Sequence, residues 1–355
     1  MGFKILAINP GSTSTKAALY EDERLLLEVT LRHTPEQLAH FHSVMDQMEW
    51  RRDMILRGVE ERGFPVSDLS AVIGRGGLTK PIESGIYEVN DAMVHDLHHP
   101  RMMHACNLGG LIAREIAQRA GVKAYIADPG VVDEMDEMVH MTGLPQIRRI
   151  SILHTLNQRA IARIYAREQG RKYEEMNLVI MHMGGGISVA AHERGRIIDN
   201  NNALNGDGPF SPERSGTLPA VSLVDLCFSG EYTRDQLLKL LAGKGGLTAH
   251  LGTNSVVEVI ERIGQGDEHA RLVLDAMCYN MGKQIGAMVA ALAGKVDAIL
   301  ITGGIAHSEY VVGRVRRQVE CFAPVAVYPG ENEQEALAMN ALLALRGEIV
   351  PKVYE

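Results

Sequence analysis

Cysteine is scarce and scattered: Cys106, Cys227, Cys278 and Cys321 are the only four in 355 residues. None stands in a Cys-x-x-Cys pair, which argues against a zinc site or a disulfide framework and fits reduced thiols in a cytoplasm. Basic charge is not in excess. The 36 lysines and arginines face 44 aspartates and glutamates, a net charge of -8 with no offsetting basic block, so nucleic acid is not an expected partner. Long apolar runs are missing too. The longest, Ile285 to Ile301, is interrupted by Lys295 and Asp297 and cannot span a bilayer. Ile5–Ile8 is too short for the core of a secretory signal, and Leu6 stands where a myristoylation motif needs Ser or Thr. No His-Glu-x-x-His occurs, so a zinc hydrolase has no support. A cytoplasmic protein without membrane or nucleic-acid partners is the expectation.

What the chain does have is apolar material, 46% of its residues, enough for two sizeable cores at a length that favours two domains. Three strands joined by turns open it, at Ile5–Ile8, Ala17–Tyr20 and Leu25–Leu31. A polar stretch from Pro35 to Arg62 then reads as surface helix. Ala71–Ile73 reads as a strand running on to Arg75, Asn107–Ala120 as a helix, and Ala124–Ala127 as a strand stopping at Asp128. The plan returns with strands at Leu178–Met183, Ile187–His192 and Arg196–Leu204. Helices follow near Ala220–Phe228, Arg234–Leu241, Ser255–Ile263 and Glu268–Ala293, then strands Asp297–Ile301 and Val325–Tyr328 and a helix Glu333–Leu345. A meander completed by helix–strand crossovers, present twice, predicts an α/β protein built by internal duplication from two mixed-sheet domains around a cleft. The predicted domains are 1–150 and 151–332, with 333–355 packing back on the first.

Two glycine-containing turns carry the chemistry. Asn9-Pro10-Gly11-Ser12-Thr13-Ser14-Thr15-Lys16 is not a P-loop, which needs a second glycine before the lysine and a helix after it. It reads either as an ordinary polar hairpin or as a phosphate turn in which Asn9, Ser12, Ser14 and Lys16 meet a phosphoryl group; the lysine favours the second. Gly184, Gly185 and Gly186 separate two apolar strands, more glycine than a hairpin needs, so another backbone or a ligand comes close. His182 before them reads as a hydrogen-bonded strand residue. Gly303 and Gly304 follow a buried strand, where a nucleotide can lie on the backbone or a simple strand-to-helix turn is made. Arg75, Asp128 and Arg214 stand at strand ends or beside glycines. Arginine's fork suits carboxylate or phosphoryl oxygens, and Asp128 and Glu333 are candidate Mg²⁺ ligands; surface ion pairs are the plainer alternative. His154, three residues after a possible Ser151 N-cap, is the histidine placed to donate to a transferring phosphoryl.

With Arg75-Gly76-Gly77, His104 to Leu108, Pro212 to Gly216, Thr302 to Gly304 and Asn332-Glu333 in the same order, the chain resembles the acetate kinase family over essentially its full length. That family belongs to the actin-like, hexokinase-like and heat-shock-chaperone-like ATPase superfamily. The resemblance implies the duplicated actin-like (ribonuclease H-like) fold and reversible transfer of the ATP γ-phosphoryl to a short-chain carboxylate, giving an acyl phosphate and ADP. It implies that Arg75 and Arg214 hold carboxylate and phosphoryl, that Asp128 and Glu333 serve Mg²⁺ and substrate activation, and that His154 supports the transition state. Asn9, Ser12, Ser14 and Lys16 match the first phosphate loop. Gly184 to Gly186, flanked by His182 and Ser188, match the second, and Gly303 and Gly304 belong to the nucleotide side. It also implies at least a homodimer.

Acetate kinases carry bulkier residues and a histidine between this arginine and its two glycines, and Phe-His where this chain has Leu153-His154. Gly76, Gly77 and Leu153, with Met103, are therefore the candidate acid pocket, expected to admit butyrate or a branched relative such as isobutyrate. Each buried methylene there contributes about 0.8 kcal/mol. Two other readings stay open: a sugar kinase of the same superfamily with Asp128 as base, and a non-catalytic ATP-driven switch, which would need neither arginine.

Overall fold

Apolar strand runs and glycine-punctuated turns place the chain, in a computed structural model describing residues 2–100 and 102–355, in two units. The first runs through Val132 and takes back Asn332–Glu355; the second is Asp133–Glu331. The division falls before Asp133, not near residue 150, because the intervening segment bonds to the second unit. Arg149 donates to Asp199 Oδ1 at 2.8 Å, and the Ile197 N–H to Glu134 Oε2 at 2.9 Å.

The first unit is built on a six-stranded sheet in the order β3-β2-β1-β4-β6-β5. Its strands are β1 (Lys4–Pro10), β2 (Ser14–Glu21), β3 (Arg24–Arg32), β4 (Ala71–Arg75), β5 (Ile86–Glu88) and β6 (Lys123–Ala127). β1 to β3 form the antiparallel meander, and β1, β4 and β6 run parallel. Ile5, Leu6, Ala7 and Ile8 are all buried, as a central strand covered on both faces requires. The helix Asn107–Ala120 packs against β4 at backbone range. A Cβ on Gly109 would lie 2.2 Å from the Arg75 carbonyl oxygen, and one on Gly74 2.1 Å from the Gly109 carbonyl oxygen. Any side chain at either position would push this helix off the strand end that carries Arg75. The helix Glu333–Leu345 also belongs to this unit, packing on β1 and β4 with Leu337, Ala338 and Ala341 fully buried.

The second unit repeats the plan. Its strands are β7 (Asn177–Met183), β8 (Ile187–Glu193), β9 (Arg196–Asn200), β10 (Ala298–Gly303) and β11 (Val325–Pro329). The order β11-β10-β7-β8-β9 matches β6-β4-β1-β2-β3 of the first sheet, strand for strand, which is the mark of duplication. The long helix Glu268–Ala291 buries Leu274, Met277, Met281 and Ile285 in one core with Met181 and Val189. The helix Thr155–Glu168 covers the other face, with Ile161 and Tyr165 against Ile180 and Leu300.

Several predicted elements change. Pro35 to Arg62 is not one surface helix but a four-residue turn of helix Pro35–Leu38 and a helix Met48–Glu60 that buries Arg51, Ile55 and Val59. β5 and the helix Asp91–His98 arise in a stretch with no clear period. Ser151 is no N-cap: the helix starts at Thr155 with His154 at its N-cap, and Ser151 donates to Asn200 Oδ1 at 2.9 Å. Among the described residues no helix is long and apolar enough to cross a membrane.

Candidate active site

In the first unit the parallel strands β1, β4 and β6 finish at one edge of the sheet, where Ile8 pairs with Gly74 and Arg75 with Ala127. Asn9, Arg75 and Asp128 are therefore delivered to the same edge, where open α/β sheets bind ligands. The returning helix adds Glu333 as its first residue. Its carboxylate is nearly buried; Oε2 accepts from Asn9 Nδ2 at 2.5 Å and from Arg75 Nη1 at 3.0 Å, and Arg75 Nη1 also lies 3.3 Å from Asn9 Oδ1. This knot fixes the plane of the guanidinium. Asp128 is buried at φ 41°, in the left-handed region that costs a non-glycine residue energy. Its N–H donates to the Gly85 carbonyl at 3.0 Å and its Oδ1 accepts the Gly85 N–H at 2.9 Å, a reciprocal pair that holds the strained residue in place.

The Asn9–Lys16 turn projects from the same edge. Ser12 and Thr13 are exposed. Lys16, opposite Asn9 in the hairpin, makes no ion pair among the described residues. Gly76 and Gly77 tighten the chain after Arg75 without opening space. A Cβ at 76 would meet Pro129 Cβ at 2.4 Å, and one at 77 would meet Leu97 Cδ2 at 2.5 Å. Room for a longer acid is thus not made where those two side chains are missing. Met103 is partly exposed in this unit, whereas Leu153 is a core residue of the second unit, packed with Ala190 and Ile197.

In the second unit β7, β10 and β11 likewise end together, with Thr302 paired to His182 and Gly303 to Pro329. A cavity of about 670 Å³ opens there, lined by Gly184, Gly185, Val256, Ile260, Gly304 and Ile305 among others. Its size and its apolar walls beside exposed glycine backbone suit a nucleotide. Gly186 has a different task. A Cβ there would sit 1.3 Å from Arg214 Nη1, so the guanidinium occupies the space a side chain would need. The Ser211–Gly216 loop is tied to the same turn by Ser211 Oγ donating to the Gly185 carbonyl at 2.6 Å. Burial holds the pKa of Arg214 below its ordinary value, as for a cation largely removed from water.

His154 stacks on His182, ring centroids 3.9 Å apart. His182 Nδ1 lies 2.9 Å from Asn157 Oδ1, and its Nε2 3.2 Å from Glu331 Oε1, off the line of a hydrogen bond. The tautomer of His154 follows from a chain of polar groups behind it. His192, fully buried, has its pKa pushed down to about 3 by desolvation and by Arg159, so it is neutral. Gln158 Oε1 can only accept, so His192 Nε2–H donates to it at 2.9 Å, and the bare His192 Nδ1 accepts the Tyr173 hydroxyl at 2.7 Å. Gln158 Nε2 at 2.9 Å and the His154 N–H at 3.4 Å both donate to Ser188 Oγ and fill its two lone pairs, which directs the serine proton to His154 Nδ1 at 2.9 Å. Neutral His154 therefore carries its proton on Nε2.

Each unit thus ends in a parallel-strand edge with a glycine turn, with a partly buried Arg75 at the first and the stacked His154 and His182 at the second. Residues 142–343 match the Acetokinase family. The chain is 54% identical over 353 residues to a probable butyrate kinase of Bacteroides thetaiotaomicron, covering 99% of this chain and all of that one. It belongs to the acetokinase family. A probable butyrate kinase of Phocaeicola vulgatus is 55% identical over 351 residues, covering 99% of each. The crystal structure of Porphyromonas gingivalis acetate kinase superposes with a TM-score of 0.78 at 19% identity, covering 97% of this chain and 100% of that one, which establishes the shared fold.

Within this family fold, the first unit brings together Asn9, Arg75, Asp128 and Glu333. The second brings together His154, His182, Ser188, the three glycines and Arg214. Sequence reasoning passed over Asn157, Gln158 and Glu331, since single polar residues on a helix or after a strand carry no spacing signal. The magnesium implied by the resemblance has a limited donor set. Among the described residues no three His, Cys, Asp or Glu side chains form a metal cluster. Asp128 and Glu333, two buried carboxylates, fit an ion that arrives on phosphates and keeps its waters, not a resident metal cage.

Proposed function

We propose that the chain transfers the γ-phosphoryl of ATP reversibly to a short-chain carboxylate, butyrate or a branched relative, giving an acyl phosphate and ADP. The observation that carries this reading is the likeness, across 99% of the chain, to proteins named probable butyrate kinases. The Arg75–Glu333–Asn9 knot, a clamp a carboxylate acceptor needs, supports it.

The acceptor carboxylate is ionised at neutral pH, so no general base is required. The barrier lies in bringing one anion in line with a polyanion, and it is lowered by positioning and charge. Arg75, its plane held by Glu333 and Asn9, binds the acceptor carboxylate. Lys16, Ser12 and Ser14 hold the terminal phosphate, and the cavity beside Gly184, Gly185 and Gly304 holds the nucleotide, with the buried His182, Ser188 and Gly303 supporting the strand ends beneath it. Arg214 and the Nε2–H of His154 stabilise charge on the transferring phosphoryl. When bound, Mg²⁺ neutralises part of the phosphate charge, and Asp128 and Glu333 are the residues that would hold it. A cytoplasmic homodimer or higher homo-oligomer completes the proposal. Free cysteines support the compartment, and the exposed Val221, Val224 and Phe228 of helix Ala220–Phe228 support self-association.

The test is to incubate the protein with MgATP, hydroxylamine and acids of two to six carbons, with hexoses in parallel, and measure hydroxamate and ADP. The expected result is hydroxamate with a maximum at four carbons, favoured over two by ~10-fold or more. ADP from a hexose with no hydroxamate from any acid would overturn the proposal.

A further inference from the structure

The Asn9–Lys16 turn has a buried cation behind it. Arg51, on the helix Met48–Glu60, is only 1% exposed, yet it makes no ion pair among the described residues. Its guanidinium is spent on neutral oxygens. Nη1 reaches the carbonyls of Gly11 at 2.8 Å and Ser14 at 3.2 Å and the Thr15 hydroxyl at 3.0 Å, and Nη2 reaches the Ser12 carbonyl at 3.4 Å. Gln47 Oε1 accepts from Nε at 3.1 Å and from Nη2 at 2.8 Å, fixing the fork from the opposite side. The Thr13 carbonyl, which Arg51 does not reach, accepts the His33 N–H at 2.9 Å.

Every carbonyl from Gly11 to Ser14 is thus claimed by a donor inside the protein. Among the described residues the Ser12 and Thr13 amides have no acceptor, and both residues are exposed. A run of amides turned outward while their carbonyls are held inward is an anion-binding concavity. An arginine serving packing alone would be expected to meet a carboxylate, because an unpaired buried charge is destabilising. Here the charge is kept and left uncompensated. Burial lowers the pKa of Arg51 to about 10, which still leaves it protonated at neutral pH. The neighbouring His33, its Nε2 2.9 Å from Thr15 Oγ1, is held neutral by burial and by Arg51, its pKa lowered to about 4.

We propose that Arg51 is a positioning residue for phosphoryl binding: it holds the turn's carbonyls inward so that the Ser12 and Thr13 amides face a phosphate, and its uncompensated charge reinforces Lys16. The inference rests on the reading of this turn as the seat of the terminal phosphate, and it adds a residue that never touches the ligand. A turn built this way discriminates by the number of phosphates, so losing Arg51 weakens a triphosphate and spares a diphosphate.

The experiment is calorimetric titration of the intact protein with MgADP and with a non-hydrolysable MgATP analogue, for wild type, Arg51→Lys and Arg51→Met, alongside KM for MgATP and for the acid. Arg51→Met is expected to weaken the triphosphate analogue by ~10-fold or more, as loss of several charge-assisted contacts implies, with MgADP and the acid KM within about twofold. Arg51→Lys, which keeps the charge but reaches fewer carbonyls, falls between. If Arg51→Met does not fold, Gln47→Leu serves in its place. It leaves the charge and removes the acceptor that orients the fork, and a smaller loss confined to the triphosphate is expected. Equal losses for both nucleotides, or none for either, overturn the proposal. Nucleotide binding is read without any acceptor, so these outcomes are distinct from a failure to make hydroxamate.

Discussion

Alanine at Gly186 tests the link between the triple-glycine turn and Arg214. The new methyl would be built 1.3 Å from Arg214 Nη1, 2.5 Å from Cζ and 2.7 Å from the Ala203 carbonyl oxygen. Restoring ordinary contact requires the guanidinium to move by about 2 Å, and a ~1 Å misplacement of a positioning group already costs on the order of 100-fold. Gly186→Ala should therefore lower kcat/KM at least ~100-fold, equivalent to ~2.7 kcal/mol of transition-state stabilisation. The crowding at Ala203 adds an overpacking cost of ~1–3 kcal/mol, seen as a melting point a few degrees lower. Steady-state kinetics of Gly186→Ala, Arg214→Ala and the double variant form the assay. Because the alanine fills space that Arg214→Ala vacates, the double variant should be no worse than Arg214→Ala alone. Activity of Gly186→Ala within about threefold of wild type would refute the reasoning, since the guanidinium would then be working from another position.

Three further outcomes are expected. His192 takes a proton at about pH 6.5 when unfolded but only near 3 when folded. Its stabilising contribution is therefore complete above pH 6.5 and is lost as pH falls toward 3, ~2 kcal/mol of it between pH 7 and pH 5. His33, lowered to about 4, acts in the same direction. Denaturant titrations of wild type and His192→Gln at the two pH values should differ in slope against pH by about that amount, and parallel curves would contradict it. Glu333→Gln removes the charge that fixes Arg75 and should raise KM for the acid by ~10-fold; an unchanged acid KM would detach this pair from acceptor binding. Gln158→Leu breaks the chain that sets the His154 tautomer and should lower kcat ~10–100-fold, with ¹⁵N NMR of the histidines showing protonation no longer confined to Nε2 at His154. An unaltered tautomer would refute the relay.

Legibility in the sequence followed physical scale. Strands with continuous apolar runs, such as Ile5–Ile8 and Leu178–Met183, could be read directly because a doubly covered strand leaves no polar face. The repeated meander gave the duplication. Arg75 and Arg214 stood out because each lies near glycines in the sequence, whereas the glycine that Arg214 packs against is Gly186, remote from it in the chain. Arg51 could not be read. An arginine on a helix rich in Glu, Arg and Asp looks solvated, and only the tertiary structure turns it under the Asn9–Lys16 turn. The first domain's limit at Val132 was equally hidden, because ion pairs of Arg149 and Arg196, not a composition change, attach the following segment to the second unit. The space that Gly76 and Gly77 were expected to open is filled by Pro129 and Leu97, contacts remote in sequence.

The central claim is that an oxygen of the acceptor carboxylate becomes bonded to the transferred phosphorus. It is tested by supplying butyrate labelled with ¹⁸O in both oxygens, trapping the product with hydroxylamine, and weighing the released inorganic phosphate. Hydroxylamine attacks the acyl carbon and expels phosphate together with the bridging oxygen. The account predicts phosphate carrying one ¹⁸O atom. Unlabelled phosphate would contradict it, because the carboxylate would then never have bonded to phosphorus.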